Sequence, residues 1–442
     1  MVTLQIILTI LSLGTLLLSV TKPQYGVWCY LIYMYLAPYL YIGGFIVYAR
    51  TLAFVFLALF LWKYGNKLKK KDYAPFNAYM IFLAWCFISV LLSEQIEYSF
   101  NGWITACSAL FFIFFLYGNM VMYPQMVNVY KWTLFWVFGL ITLYGIFLTT
   151  IPGVNPYKII EQPLFGQEFN EAYALGNSGL NNGMVLELSE GRVFGRISSV
   201  FDHPMAYGLN LGFFFLYSLY ILKDKPKIMV ITLSVIVWAI ITSGTRTPIG
   251  ALGLTVLAML FYLKKFKYFI GGAFCFLALY YILPLISSEL NDYVMSIFNS
   301  NDSNTNGSSI DMRLSQLEGS YNIVKDNDNI LFGQGYLWDK WYNSTHGTHP
   351  TVLWFESIIF TILVDTGIFG FVLWFFFIRG YYSYVAANIY DRQLRMIIFA
   401  LLFYFLIYSL ITGDFDIKYL FVFYTILICL NTNIKVKINE CR

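Results

Sequence analysis

The sequence has 442 residues, of which 59% are hydrophobic and only 12% are charged, and its formal net charge is +4. Soluble domains are about 45–50% apolar and about 25% charged, so this composition excludes a soluble globular protein. The sequence instead predicts an all-α polytopic membrane protein, and no nucleic-acid partner is expected.

Thirteen apolar runs reach or approach the length of about 20 residues that a helix needs to cross a bilayer. They are Val2–Val20, Val27–Ile42, Phe45–Trp62, Phe76–Leu92, Trp103–Tyr117, Lys131–Ile151, Pro204–Leu222, Ile228–Thr242, Pro248–Leu263, Tyr268–Ile286, Thr351–Phe377, Met396–Ile411 and Tyr419–Leu430. The first three are crowded, so about 12–13 transmembrane helices are expected. The first run lacks a basic leader and a small-residue cleavage site, which favours a retained span over a signal peptide.

The runs and the polar stretches between them divide the chain into five parts. Residues 1–151 are predicted to be N-terminal transmembrane helices, 152–203 an extracytoplasmic loop, and 204–286 central transmembrane helices. Residues 287–350 are predicted to be a large extracytoplasmic loop with an amphipathic helix, and 351–442 C-terminal transmembrane helices with a cytoplasmic tail.

Basic residues in short loops mark the cytoplasmic side of a membrane protein. Counting spans between the Lys and Arg clusters puts every cluster on one face; they are Lys67–Lys71, Lys223–Lys227, Lys264–Lys267, Arg379–Arg395 and Lys435–Arg442. The two large loops and the tight turn Thr242–Pro248 then fall on the opposite, extracytoplasmic face.

Two arginines on that opposite face are candidates for binding an anion. Arg246 lies in the turn Thr242-Ser-Gly-Thr-Arg-Thr-Pro248, against the positive-inside bias, and ionisable residues near membrane depth are often functional. Hydroxyl and backbone donors of the turn could cradle phosphate oxygens. Arg196 precedes a span, where an interfacial side chain is an equally good interpretation. Asp202 is expected to cap the helix that follows.

The large loop contains a third arginine. Ile310, Leu314, Leu317, Tyr321 and Val324 recur at helical spacing, so Ser309–Lys325 is predicted to be an amphipathic helix on the membrane surface or over a cavity. Arg313 is in its first turn, where the helix dipole disfavours a cation, and this favours a role towards an anion.

Three further residues could act as a base. His346 and His349 end the loop, and Gly347 and Pro350 argue against the helical spacing that a metal pair would need. Glu356 is expected to be buried in the following span, among Trp354, Phe355, Ile358 and Ile359, where a carboxylate has to face a polar cavity or have a raised pKa. Trp338, Trp341 and Tyr342 could stack on sugar rings, although interfacial anchoring is the more common role. The cysteines show no CxxC spacing, so neither a metal ion nor a disulfide framework is expected, and no cofactor is implied.

The order of these motifs resembles the O-antigen polymerase and ligase superfamily (Wzy and WaaL types). The resemblance rests on Arg-Ile-Ser-Ser-Val-Phe-Asp-His-Pro204, Ser-Gly-Thr-Arg-Thr-Pro248, Asp-Met-Arg313, Leu-Phe-Gly-Gln-Gly-Tyr336 and Asp-Thr-Gly-Ile-Phe-Gly370. It implies a metal-independent, GT-C-like glycosyltransferase of the plasma (inner) membrane, with its active site on the periplasmic or extracellular side. The family's diphosphate-binding arginines correspond to Arg196, Arg246 and Arg313.

The last motif departs from the ligase pattern. Ligase members begin it with a catalytic histidine, and at the corresponding distance before Gly367 and Gly370 this chain has Glu356. This difference favours a polymerase, and the predicted order of candidate bases is Glu356, His349 and His346.

The sequence therefore predicts a repeat-unit polymerase for a surface polysaccharide, O-antigen or capsule. The implied substrates, as donor and acceptor, are undecaprenyl-diphosphate-linked oligosaccharides, with membrane lipid, a Wzz-type chain-length regulator and a flippase as further partners. The alternatives are a glycan ligase of the same superfamily and a flippase or transporter of lipid-linked oligosaccharides. A transporter would be expected to show an internal repeat, and none is visible.

Overall fold

A computed structural model describes most of the chain. The described residues are 2–36, 39–42, 45–67, 74–151, 155–157, 197–201, 203–265, 267, 270–271, 310–326, 329–352, 355–412 and 417–431. The predicted span Tyr268–Ile286, Arg196, Asp202 and most of the loop 152–203 lie outside them.

The described part is helical apart from one short hairpin. In chain order the elements are α1 (Val2–Thr21), α2 (Pro23–Leu36), β1 (Tyr39–Ile42), β2 (Phe45–Tyr48), α3 (Ala49–Tyr64), α4 (Ala74–Leu91), α5 (Ile96–Met122), α6 (Met126–Leu148), α7 (Pro204–Ile221), α8 (Pro226–Thr242), α9 (Thr247–Tyr262), α10 (Ile310–Asp326), α11 (Trp338–His346), α12 (Ile358–Asn388), α13 (Arg392–Ile411) and α14 (Ile417–Cys429).

The helices agree with the predicted all-α membrane architecture. Among the described residues, α5, α6, α12 and α13 are long and apolar enough to cross a membrane, and α8, α9, α14 and Phe76–Leu91 are apolar but shorter. Each predicted span other than Tyr268–Ile286 overlaps one helix. The protein is therefore a multi-pass membrane protein.

Several helix boundaries differ from the predicted ones. The run Val27–Ile42 leaves the helix after Leu36, and Tyr39–Ile42 pairs antiparallel with Phe45–Tyr48. A Gly-Gly sequence between aromatic and β-branched residues is typical of a hairpin. The run Thr351–Phe377 becomes helical only at Ile358.

The core of the bundle surrounds α14. Every residue from Tyr419 to Cys429 is buried, although thirteen residues of helix span only about 20 Å. Aromatic side chains of the surrounding helices contact it: Phe76, Tyr79, Phe138, Phe213 and Tyr381. Because neighbouring helices enclose α14, its length does not have to match the bilayer thickness.

Contacts also bring together three of the predicted basic clusters. Lys223 pairs with Asp391 at 3.7 Å, and the Arg392 guanidinium donates to the carbonyl of Tyr262, next to the Lys264 cluster. These clusters therefore lie at one end of the bundle, as the positive-inside pattern predicts.

Candidate functional site

The helix α12 is interrupted near its start. Gly367 has φ +67° and ψ −169°, which is not helical, so residues 358–366 and 368–388 form two separate helical segments. The second segment is about 31 Å long and is by itself sufficient to cross the hydrocarbon core. A break of this kind leaves backbone groups without helical partners, which apolar surroundings strongly disfavour.

The glycine turn Leu331–Gly335 supplies partners for those groups. The N–H of Gln334 donates to the carbonyl of Val364 at 2.7 Å, and the N–H of Gly335 donates to that of Asp365 at 3.2 Å. In the other direction, the N–H of Ile368 donates to the carbonyl of Ile330 at 3.0 Å. The glycine turn and the Asp-Thr-Gly-Ile-Phe-Gly370 motif, which are separate in the sequence, therefore form one interlocked unit.

The backbones of the two motifs touch at two glycines. A Cβ at Gly367 would come within 2.4 Å of the Leu331 carbonyl oxygen, and a Cβ at Gly333 within 2.6 Å of the Asp365 carbonyl carbon. Gly333 also has a positive φ, +76°. Only glycine satisfies both conditions at these positions.

Side chains of α4 also donate hydrogen bonds to carbonyls at the break. The Ser89 hydroxyl donates to the carbonyl of Asp365 at 2.6 Å, and the Trp85 indole N–H donates to that of Thr366 at 3.0 Å. The Trp85 ring also stacks on Phe332 with centroids 5.5 Å apart. Helix α4 thereby fixes both the break and the glycine turn.

The carboxylate of Asp365 caps the neighbouring helix α11. It accepts the N–H of Leu337 at 3.0 Å and the N–H of Asp339 at 3.1 Å, which are at the N-cap and in the first turn of α11. Asp339 is also buried, and this burial raises the pKa of its carboxyl. Asp365 was not among the predicted site residues; an ionisable residue inside an apolar run is the signal that could have identified it.

Helix α11 and the turn after it carry both histidines. The ring of Tyr342 stacks on His346 with centroids 4.8 Å apart, and it contacts His349 at 5.0 Å. His349 also contacts Phe355 at 5.9 Å. The predicted residues His346 and His349 therefore both contact Tyr342. His349 also contacts the residue that precedes Glu356.

The hydrogen bonds of His349 define its chemistry. Its Nδ1 accepts the N–H groups of Thr351 and Val352, both at 3.2 Å. Because Nδ1 uses its lone pair in this way, the neutral ring carries its proton on Nε2. Burial lowers the pKa of His349, which favours this neutral state. In this arrangement His349 offers a hydrogen-bond donor rather than a base.

His346 is bonded differently. It is exposed, and its Nδ1 lies 2.7 Å from the hydroxyl oxygen of Thr345. That hydroxyl also lies 2.9 Å from the carbonyl of Trp341, to which it donates. With the hydroxyl proton used there, Nδ1–H of His346 donates to Thr345, and Nε2 keeps a lone pair.

Glu356 lies at the entrance to α12. The prediction that it is buried within a span is wrong, because α12 begins at Ile358, with Ser357 as its N-cap, and Glu356 is half-buried. The preceding residue, Phe355, has φ +53°, a conformation that costs about 1–3 kcal/mol in a non-glycine residue. Such backbone strain occurs preferentially at functional sites, which supports Glu356 as a candidate.

The loop helix α10 exposes most of its predicted apolar stripe. It begins at Ile310, so Arg313 is in its first turn as expected, although the side chain of Arg313 lies outside the described part. Leu314, Leu317 and Tyr321 of the predicted apolar stripe are 60%, 42% and 45% exposed, whereas Val324 of the same stripe is buried. A more polar face packs instead, made of Gln316, Gly319, Ser320 and Val324.

The buried face of α10 meets the segment after His349. A Cβ at Gly319 would lie 3.1 Å from the side chains of Thr351 and Val352. The small residues Gly319 and Ser320 therefore form the packed face of α10, and the apolar side chains of Leu314, Leu317 and Tyr321 are exposed.

Arg246 lies at the N-cap of α9 and is half-buried. The predicted hydroxyl cradle is only partly available, because Ser243 and Thr245 are buried and their hydroxyls lie 2.7 Å apart. Thr247 and Arg246 remain partly accessible at the positive end of the α9 dipole, which favours anions.

The segment that follows Arg196 contacts this same turn. The N–H of Ile197 donates to the carbonyl of Ser243 at 3.1 Å. The helix α7 is capped by His203, whose Nδ1 accepts the N–H of Met205 at 3.1 Å. The predicted cap, Asp202, lies outside the described residues. An imidazole nitrogen has the geometry to bond the second residue of the helix, as Asp or Asn would.

The candidates thus fall into two described groups. Glu356, His349 and His346 lie around α11 and the start of α12, whereas Arg246 lies on the turn between α8 and α9. The described contacts of that turn are with α7 and with residues 197–201.

Comparisons with known proteins identify part of the chain. Residues 230–375 match the family Wzy_C, described as O-antigen ligase. No curated protein sequence matches the chain. The matched segment, about a third of the chain, contains Arg246, α10, α11 and the break in α12. It confirms the resemblance to the O-antigen polymerase and ligase superfamily and does not distinguish a polymerase from a ligase.

Proposed function

Because residues 230–375 form a domain of the O-antigen ligase family, we propose that this surface-polysaccharide enzyme is a repeat-unit polymerase. It transfers a growing glycan from undecaprenyl diphosphate to a lipid-linked repeat unit on the outer face of the plasma membrane. The observation that carries the proposal is the position of Glu356. A carboxylate, and not a histidine, stands beside a strained residue at the entrance to the interrupted helix.

The reaction needs little beyond orientation, a base and anion stabilisation. The acceptor hydroxyl attacks the anomeric carbon of the donor sugar, the bond from that carbon to the diphosphate oxygen breaks, and the hydroxyl proton passes to Glu356. Arg246 stabilises the negative charge on the departing diphosphate, with Arg196 and Arg313 as further ligands. No metal ion is required for this step.

His346 and His349 have different roles in this proposal. His349 directs Nε2–H towards a substrate oxygen, since its Nδ1 is bonded to the backbone. His346 keeps a lone pair on Nε2 and is the second candidate for the base. A positioned general base contributes about 10²–10⁴-fold to a rate.

A glycan ligase is the second candidate, since the matched family is described as O-antigen ligase. A strain that produces only Arg246→Ala separates the two. A polymerase variant loses long chains and still exports single repeat units, whereas a ligase variant loses both. Arg379→Ala is the matched control, because Arg379 is an exposed arginine in the predicted cytoplasmic group.

A further inference from the structure

The aromatic residues of α11 form a continuous ribbon. Trp338, Tyr342 and His346 recur every four residues and therefore share one side of the helix. The rings of Trp338 and Tyr342 are 4.9 Å apart, and those of Tyr342 and His346 are 4.8 Å apart with an interplanar angle of 20°. Trp341 lies edge-on to His346 at 5.3 Å.

Two further rings close the ribbon on the side of Glu356. His349 lies 5.0 Å from Tyr342, and Phe355 lies 5.9 Å from His349 and 6.1 Å from Trp338. We call Trp338, Trp341, Tyr342, His346 and His349 the ring platform. Phe355 contacts the inner side of this platform and directly precedes Glu356 in the chain.

The ring platform is held rigidly. Asp365 binds two N–H groups at the start of α11, and Leu337 packs on α5 so closely that a Cβ at Gly102 would lie 2.0 Å from its Cδ1. Rigid rings lose little conformational entropy when a ligand binds. The platform is nevertheless accessible, since Trp338, Trp341 and Tyr342 are only half-buried and His346 is exposed.

The composition of α11 favours a sugar over the bilayer as the occupant. A helix that lies in the membrane interface buries a continuous apolar face in the lipid, and α11, Trp-Asp-Lys-Trp-Tyr-Asn-Ser-Thr-His, is only nine residues long and exposes the polar residues Lys340, Ser344, Thr345 and His346. The exposed apolar stripe Leu314, Leu317 and Tyr321 belongs to α10 instead. Flat aromatic faces next to the hydroxyls of Ser344 and Thr345 suit a pyranose ring, which presents both C–H faces and hydroxyl groups.

We propose that the ring platform binds one sugar ring of the lipid-linked glycan and presents its hydroxyl towards Glu356. This inference rests on the proposed function for the identity of the glycan. It assigns Trp338, Trp341 and Tyr342 to substrate binding, and Asp365 is a positioning residue that acts through α11.

A binding experiment without any transfer reaction tests the inference. The ligand is the oligosaccharide released by mild acid from the host's own lipid-linked repeat unit, and saturation-transfer NMR is recorded on the purified protein in detergent. We expect Tyr342→Ala to weaken binding about tenfold, which corresponds to about 1.4 kcal/mol, and Tyr342→Phe to retain it. Trp136→Ala removes an exposed ring of α6 and is the control.

Equal binding by wild type and by a folded Tyr342→Ala variant would overturn the inference. The bilayer alternative is tested in nanodiscs with brominated lipid, where the Trp341 fluorescence is obtained as the difference between wild type and Trp341→Phe. Quenching of Trp341 as strong as that of Trp136 would also overturn it. Binding by the platform without any polymer formation would uphold this inference and refute only the polymerase, so the two failures are distinguishable.

Discussion

At the scale of single residues, the two glycines at the crossing of the glycine turn and α12 have the most stringent requirements. A side chain at Gly367 or Gly333 meets backbone within 2.4–2.6 Å, and backbone cannot rotate away as a side chain can. The stability of this region therefore depends on these two positions more than on any contact energy between the side chains around them.

We expect Gly367→Ala to destabilise the protein by at least about 1–3 kcal/mol, since it adds a strained positive φ to the steric clash. Thermal unfolding in detergent measures this effect. Gly139→Ala is the matched control, because its Cβ would have nothing within 4 Å in the middle of α6. An equal Tm for the two variants would contradict the interlocked arrangement.

The turn at His349 should depend on pH. Because burial lowers its pKa in the folded state, the imidazole contributes stability that is present above about pH 6.5 and is lost as pH falls through the lowered pKa. Replacement by Asn keeps an acceptor for the Thr351 N–H and removes the titration. The Tm of wild type should therefore fall relative to that of His349→Asn between about pH 7 and pH 5. Parallel curves would show that Nδ1 does not hold the turn.

At the scale of elements, Asp365 of the membrane helix α12 orients the loop helix α11. Removing the Asp365 carboxylate leaves the N–H groups of Leu337 and Asp339 without an acceptor, and loss of a cap costs about 0.5–2 kcal/mol. We expect Asp365→Ala to lower the Tm and to weaken binding of the released oligosaccharide, while Asp365→Asn keeps part of both. A variant with normal sugar binding would show that α11 is held by other contacts alone.

The loop helix shows how far sequence patterns predict the elements. The spacing of Leu314, Leu317 and Tyr321 correctly predicted a helix over this segment, and it carries no information on which residues pack against the rest of the protein. Periodicity measures where apolar side chains recur; it does not register that Gly319 and Ser320 allow a closer approach to Thr351. The same limitation hid the break in α12, because its hydrogen bonds to the glycine turn join positions thirty or more residues apart.

At the scale of the whole molecule, the position of the basic clusters at one end of the helix bundle was predictable from the sequence. The contacts of Lys223 with Asp391 and of Arg392 with Tyr262 gather the basic ends as the spacing of spans required. The relation between Arg246 and the histidines was not predictable, because it depends on long-range packing that no local pattern encodes.

The orientation of the bundle leads to a labelling prediction. In a cysteine-free background, Ser344→Cys should react with a membrane-impermeant maleimide in intact cells, whereas Lys227→Cys should react only after permeabilisation. Both residues are exposed, so accessibility alone does not distinguish them. The reverse pattern would place α11 on the cytoplasmic side and exclude an outer-face polymerase.

The most direct test of the central claim is a polymerisation assay with purified protein and synthetic undecaprenyl-diphosphate repeat units. Wild type should form a ladder of products. Arg246→Ala and Glu356→Gln should each reduce it by about 10²–10⁴-fold, since one removes charge stabilisation and the other the base. Arg379→Ala should leave the ladder intact. A ladder that survives Glu356→Gln would move the base to His346, and no ladder from folded wild type would contradict the polymerase.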